Sequence, residues 1–265
     1  MEGKGPRILR PLRSAQDIQA LGELHDVHAQ LPFMAPLLSS LSKELRGSDT
    51  ALIGFVGAPW TLAAYSVEGG HSKLCRHFKL LCMEQPQAAH ELLDKYTTML
   101  CRYASFQVAQ GAQVLQVFES WAHHLTWDLD QAFARPYAQR LAQHLRQAHP
   151  DVPTVYFANG GSVFLGAQQQ QQEAYSALSL DWRLSMREAR RRLGPEAVLA
   201  GNLDPVLLYS AQASLIERET QRCVRDGRGL RGGRFVLNLG HGVEKDMDER
   251  SVELLVNACK QVPMP

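Results

Sequence analysis

Three short segments hold the side chains best suited to binding or transforming a small molecule. In NLGHG, residues 238–242, His241 stands between two glycines where an apolar run ends. An imidazole titrates near ~6.5, so at neutral pH it donates, accepts or carries charge, while the glycines let the backbone turn sharply and approach a ligand. GFVGAPWTLAAYSVEGG, residues 54–70, contributes Tyr65, whose phenol can hydrogen-bond a carboxylate or carbonyl. FESWAHHL, residues 118–125, offers Glu119, Ser120, His123 and His124. A carboxylate with two imidazoles invites a zinc or iron site. Adjacent histidines point apart on a helix, however, and no i, i+4 pair is present, so the spacing predicts no metal. Ser120 reads as a hydroxyl donor and not as a nucleophile, because no GxSxG turn surrounds it.

Each segment also has a plainer use. His241 can be a turn residue without a ligand, and Trp60 and Tyr65 can be packing residues ahead of a helix stop at Gly69 and Gly70. In GNLDP, Asp204 followed by Pro205 is a helix-start signal. Asp181 and Trp182 read as a cap and a wall, or as a pocket floor. Arg187, Arg190, Arg191 and Arg192 read as a solvated helix face, and the glutamines 168–172 as a low-complexity loop or helix edge.

The elements that must carry these residues alternate regularly. Apolar, β-rich runs at 51–57, 113–118, 154–158, 177–181, 198–202 and 234–240 read as strands, and their lack of polar alternation suits parallel strands buried on both faces. Between them, 84–111 and 129–150 have apolar positions at helical spacing, ending at Gly111 and Pro150. Repeated strand–helix units imply right-handed βαβ crossovers. Nearly every strand exit carries polar or glycine chemistry: Gly57 with Tyr65 beyond, Glu119 and Ser120, Asn159 with Gly160 and Gly161, Asp181 and Trp182, Asn202 and Asp204, Gly240 and His241. A (β/α)8 barrel assembles its site from such exits, whereas a doubly wound nucleotide fold needs a Gly-rich first turn, and no GxGxxG or GxxxxGK follows any strand. The reading is an α/β chain of the (β/α)8 TIM barrel class, one domain over 1–265, with about six of the eight β/α units. The first 45 residues read as a basic turn plus helix, with no strand.

Composition excludes several classes. With 28 Lys and Arg against 27 Asp and Glu, no electrostatic case exists for nucleic acid or an anionic membrane surface, and a small molecule remains the default partner. No window of about 18 apolar residues is present, so no membrane span is expected. Five cysteines without CxxC spacing read as reduced thiols in a reducing compartment, and the residues after Met1 lack the features of a signal or transit peptide.

Taken together, GKGP at 3–6, ALIGFVGAPWTLAAYSVEGG at 51–70, VFESWAHHL, LDW, AGNLDP and NLGHGV resemble, in that order, the uroporphyrinogen decarboxylase family. The resemblance spans essentially the whole chain. It implies a barrel, usually dimeric, that removes carbon dioxide from the four acetate side chains of uroporphyrinogen III to give coproporphyrinogen III in tetrapyrrole biosynthesis. No metal or organic cofactor is implied: the α-protonated pyrrole itself is the electron sink. The family's substrate-contacting tyrosine, serine and histidine match Tyr65, Ser120 and His241. Family members also carry an N-terminal RQAGR segment that binds substrate carboxylates and an FSD segment whose aspartate binds the pyrrole NH groups. Neither is found here, so no catalytic residue is assigned, and the expectation is a chain shortened at its N-terminus relative to the family. The alternative is a catalytically impaired paralogue that only binds. The SW after Glu119 and the RRRLG run hint at a plastid homologue, with the cytoplasm as the other location. A cobalamin-linked methyltransferase of the same superfamily is disfavoured, because no HxC is present.

Overall fold

The structure, a computed structural model, describes residues 7–161, 173–230 and 232–263. GKGP and the glutamines 168–172 lie outside the described residues. The chain divides into two compact units, Met1–Thr154 and Val155–Pro265.

In the first unit the leading segment forms three short helices where a turn and one helix are expected: α1 (Ala15–Gln19), α2 (Val27–Gln30) and α3 (Met34–Glu44). Two of them are set by their caps. Ser14 and Asp17 make a reciprocal capping box, and the Asp26 carboxylate accepts from the Ala29 N–H. Then follow β1 (Ile53–Gly57), α4 (Pro59–Glu68), α5 (Arg76–Glu84), α6 (Pro86–Ala109), β2 (Val114–Glu119) and α7 (Arg135–Ala148). Pro59 opens α4, and Gly69, at φ 81°, closes it in a left-handed conformation that a side chain would disfavour. Strands β1 and β2 pair in parallel, from Ile53 opposite Val114 to Gly57 opposite Phe118. Trp60 and Phe78, with ring centroids 4.6 Å apart, are fully buried with Leu92 and Leu93 in a core formed among the helices.

The far edge of β1 is held by a side chain. Leu52 and Ala58 direct their backbone groups to β2, so Phe55 directs its own to the opposite edge. There the buried amide of Gln107, on α6, accepts from the Phe55 N–H (2.9 Å) and donates to the Phe55 carbonyl (3.0 Å). Gly54 makes room for it, since a Cβ at 54 would sit 2.8 Å from the Gln107 oxygen. Gln107→Leu removes both bonds and leaves the part-buried N–H and carbonyl of Phe55 unpaired; we expect a loss of about 1 kcal/mol in urea unfolding, and an unchanged midpoint would show that the clasp adds nothing.

In the second unit β3 (Thr154–Ala158), β4 (Ala177–Ser179), β5 (Leu199–Leu203) and β6 (Phe235–Leu239) pair in chain order, all parallel. Helices α8 (Met186–Leu193), α9 (Ala213–Arg228) and α10 (Glu249–Lys260) flank them. Every residue of β5 is buried, as a strand covered on both faces requires, whereas β6 alternates half-buried and exposed positions. Asp204 caps the short turn Pro205–Tyr209 by accepting from Val206 N–H, as its sequence signal predicts. Arg190 corrects the solvated-face reading. It is buried, and its guanidinium donates to the carbonyls of Gly194, Pro195, Ala197, Gly227 and Arg234. One cation thus satisfies backbone groups from three separate segments.

Candidate functional site

Within the first unit, strand parity decides which side chains face away from the helices. Leu115, Val117 and Glu119 on β2 are buried toward the helix layer, while Val114, Gln116 and Phe118 alternate with them on the other face. Ser120, two residues beyond Phe118, continues that face. On β1 the same face carries Ile53 and Phe55, which are 54% and 62% exposed. Phe55 and Phe118 meet edge to face with centroids 6.0 Å apart. Two aromatic rings beside a hydroxyl form an open apolar surface with a polar rim. Sequence reasoning missed Phe55 and Phe118, because an aromatic inside an apolar strand is indistinguishable from core until the free face is known.

The other face of the β2 exit is a buried polar anchor. Glu119 is fully buried and accepts a short hydrogen bond from the Thr61 hydroxyl, whose oxygen in turn accepts from the Trp121 N–H at 3.2 Å. The chain Glu119–Thr61–Trp121 ties the first turn of α4 to the residues just after β2. It thereby fixes α4, which carries Tyr65, against the backbone that carries Ser120. Tyr65 packs edge-on to Trp121 at 6.0 Å, next in sequence to Ser120. The second carboxyl oxygen of Glu119 has no hydrogen-bond partner among the described residues. Burial pushes this carboxyl up to about 8, against the opposing pull of the Thr61 hydrogen bond, and the nearby Asp130 adds to the rise. At neutral pH it is held mainly as the neutral acid. The rings of His123 and His124 lie 4.0 Å apart, tilted at 43°, and burial, then the charge of His123, brings His124 down to about 4. Among the described residues no group of three or more His, Cys, Asp or Glu side chains is placed to hold a metal ion.

In the second unit His241 is exposed and meets the edge of Trp182 at 5.6 Å. The guanidinium of Arg183 lies over the same indole, 4.1 Å from its centroid. Asp181 is buried beneath, accepting from the Arg183 N–H at 2.8 Å and lying 3.5 Å from its guanidinium. Asn202 donates to the carbonyls of Asp181 (3.0 Å) and Leu184 (2.5 Å), so it holds this loop and is not itself presented to a ligand. Of the two glycines around His241 only Gly240 is sterically required. A Cβ there would lie 2.3 Å from the backbone nitrogen of Trp182, whereas one at Gly242 would meet nothing within 4 Å. Gly240 therefore serves close packing of the chain on itself, which sets His241 beside Trp182. Arg183 is a cation that sequence reading did not single out; its place directly after LDW is the only signal it gives.

Tyr65 and Ser120 thus stand at the exits of adjacent parallel strands, and His241 stands at the end of β6 in the second unit. The first unit supplies hydroxyl groups for carboxylates and an aromatic surface for an apolar body; the second supplies an imidazole and a guanidinium.

A family profile described as "Uroporphyrinogen decarboxylase (URO-D)" matches residues 1–262. A protein named uroporphyrinogen decarboxylase from Trichormus variabilis is 38% identical over 261 residues, covering 98% of this chain and 72% of that protein. One of the same name from Methylococcus capsulatus is 39% identical over 262 residues, covering 98% and 73%. Among solved structures, a methyltransferase from Methanosarcina mazei superposes with TM-score 0.75 at 19% identity, over 92% of this chain and 68% of that one. A B12-independent methionine synthase from Shewanella sp. W3-18-1 gives TM-score 0.55 at 11% identity, over 86% and 64%. At such identities these two structures carry the fold and not the activity. No helix of the described residues is long and apolar enough to cross a membrane.

Proposed function

Because the chain belongs to the uroporphyrinogen decarboxylase family, we propose that it removes the acetate carboxyls of uroporphyrinogen III to give coproporphyrinogen III. The observation that carries this reading is identity of 38% to a decarboxylase across 98% of the chain, with the family match running over residues 1–262. In each step the bond between a carboxyl carbon and its methylene breaks, carbon dioxide leaves, and one proton is added to the methylene. The electron pair is held meanwhile on the protonated pyrrole of the substrate.

The proposed role of this chain's residues is binding and orientation. Tyr65 and Ser120 offer hydroxyls to carboxylate oxygens, and His241 offers an imidazole N–H. The exposed Phe55–Phe118 pair gives the macrocycle an apolar surface, and Arg183 gives a carboxylate a cation. No proton donor for the methylene is assigned among them. A homodimer and a plastid location are part of the proposal, the latter supported by the cyanobacterial relative; size-exclusion with light scattering and a fluorescent fusion test them.

The direct test supplies purified chain with uroporphyrinogen III and resolves the products by the number of carboxyls, beside a version preceded by a segment bearing RQAGR and FSD. Release of coproporphyrinogen by either supports the assignment; intact uroporphyrinogen in both ends it. In the active form Tyr65→Phe, Ser120→Ala and His241→Ala are each expected to lower kcat/KM about tenfold, the effect of losing one modest hydrogen bond. Rates within error of the unsubstituted chain would remove these residues from the site.

A further inference from the structure

Glu119 ends β2 with its side chain on the helix side of the sheet, fully buried. From there it cannot touch a molecule held against Phe55, Phe118 and Ser120 on the open face. Packing does not explain an acid at this position. One of its oxygens has no hydrogen-bond partner among the described residues, and a buried polar atom left unpaired destabilises the fold where a leucine would not. The other oxygen accepts from the Thr61 hydroxyl, and that bond is what the acid supplies.

Both hydroxyl groups of the strand-exit site are referred to Thr61. Tyr65 follows it by four residues on α4, so the two side chains leave the same face of the helix one turn apart. Ser120 lies between Glu119 and Trp121, and each of these is bonded to Thr61: Glu119 accepts from its hydroxyl, and the Trp121 N–H donates to its oxygen at 3.2 Å. The Tyr65 ring then meets the Trp121 ring edge-on at 6.0 Å. The surroundings hold few charges. The buried faces of α4 and α6 and the whole of β1 carry no ionisable side chain. After β2, Asp130 acts on Glu119, and the buried Arg135 guanidinium donates to Asp130 from Nε at 3.0 Å.

We propose that Glu119, acting through the Thr61 hydroxyl, is a positioning residue that holds the Tyr65 and Ser120 hydroxyls at the separation one substrate carboxylate needs. The proposal rests on the tetrapyrrole reading for its ligand, and adds to that reading a group that never touches the ligand. The clasp depends on the proton of Glu119. Ionised, the carboxyl would stand uncompensated beside Asp130 with one oxygen lacking a donor, so the segment must open to admit water. Burial places that change at about pH 8, and the carboxylate-binding form is the one present below it.

The test measures the Kd of coproporphyrin III, the oxidised form of the expected product, on the full chain by fluorescence, together with near-ultraviolet circular dichroism of the aromatic residues. Thr61→Val keeps the shape without the hydroxyl and is expected to raise Kd about tenfold at pH 7, while Thr61→Ser restores it to within about twofold. A Kd for Thr61→Val equal to that of the unsubstituted chain would overturn the proposal. So would equal weakening by Val and Ser, the mark of a packing role. From pH 7 to 9 the Kd of the unsubstituted chain is expected to rise about fivefold more than that of Glu119→Gln, which keeps an acceptor for Thr61 and cannot ionise. Parallel rises would overturn the part given to Glu119. A chain that binds no porphyrin would count against the proposed function, and the dichroism then decides the positioning alone. A Tyr–Trp band that changes between pH 7 and 9 in the unsubstituted chain and not in Glu119→Gln supports it; a band that behaves alike in both overturns it.

Discussion

Gly240→Ala will destabilise the protein by about 3 kcal/mol or more, while Gly242→Ala, two residues on, will change its stability by less than about 0.5 kcal/mol. The difference follows from what each new methyl group meets. At 240 the Cβ would lie 2.3 Å from the Trp182 nitrogen and 2.9 Å from its Cα, both backbone atoms in a loop tied down by Asn202 and Asp181. Backbone so held cannot yield as a flexible side chain does. The Gly240 N–H also bonds the Leu203 carbonyl at 2.7 Å, so moving residue 240 away from Trp182 breaks the end of the β5–β6 pairing. At 242 there is open space and no positive φ to penalise a side chain. Urea unfolding of the two variants separates the cases. Equal midpoints would mean that the loop at Trp182 relaxes freely and that Gly240 owes nothing to close packing.

The second large effect is a pH dependence of stability centred on Glu119. Its carboxyl titrates near the usual 4.5 when the chain is unfolded and near 8 when folded, because burial disfavours the charged form. Between these values the folded state keeps a proton that the unfolded state has released. Raising the pH therefore favours unfolding, by up to about 1.4 kcal/mol per pH unit; below the window both states hold the proton, and above it neither does. His124 acts in the opposite direction, since burial lowers it from 6.5 to about 4, so between those values its contribution raises stability as pH rises. His144, also lowered by burial, acts in the same sense as His124, so the contribution of Glu119 is read as the difference between the unsubstituted chain and Glu119→Gln, in which the histidines act alike; between pH 6.5 and 8 that difference should grow by about 2 kcal/mol. Glu119→Gln keeps an oxygen to accept from Thr61 and cannot ionise, so it should lack the fall due to Glu119 and lie near the unsubstituted value at pH 6.5. Parallel profiles for the two chains would show that Glu119 ionises normally.

The six strands were legible in the sequence to within two residues, because buried parallel strands write themselves as unbroken apolar runs. The leading segment was not: helices as short as Ala15–Gln19 and Val27–Gln30 are too brief to show a period, although Ser14 and Asp26 mark their starts. The exits carrying Tyr65, Ser120 and His241 were found from the alternation of strands and helices. Their supports were not, since Thr61 bonding Glu119, and Gly240 packing on Trp182, join residues 58 apart in both cases. Arg190 misled for a related reason. Within RRRL nothing distinguishes a cation that will be wrapped in carbonyls from its exposed neighbours Arg191 and Arg192, which pair with Glu188.

The amide of Gln107 on Phe55 has a bearing on self-association. A free strand edge with exposed apolar side chains such as Ile53 and Phe55 is a template on which a strand from another molecule can extend the sheet. Here the one donor and one acceptor in the middle of that edge are already engaged. An incoming strand must expel a buried amide or accept a gap in its ladder, and either raises the barrier to fibril growth from this edge. Gln107 thus acts as a gatekeeper whose loss would show in turbidity at high concentration as well as in the urea midpoint.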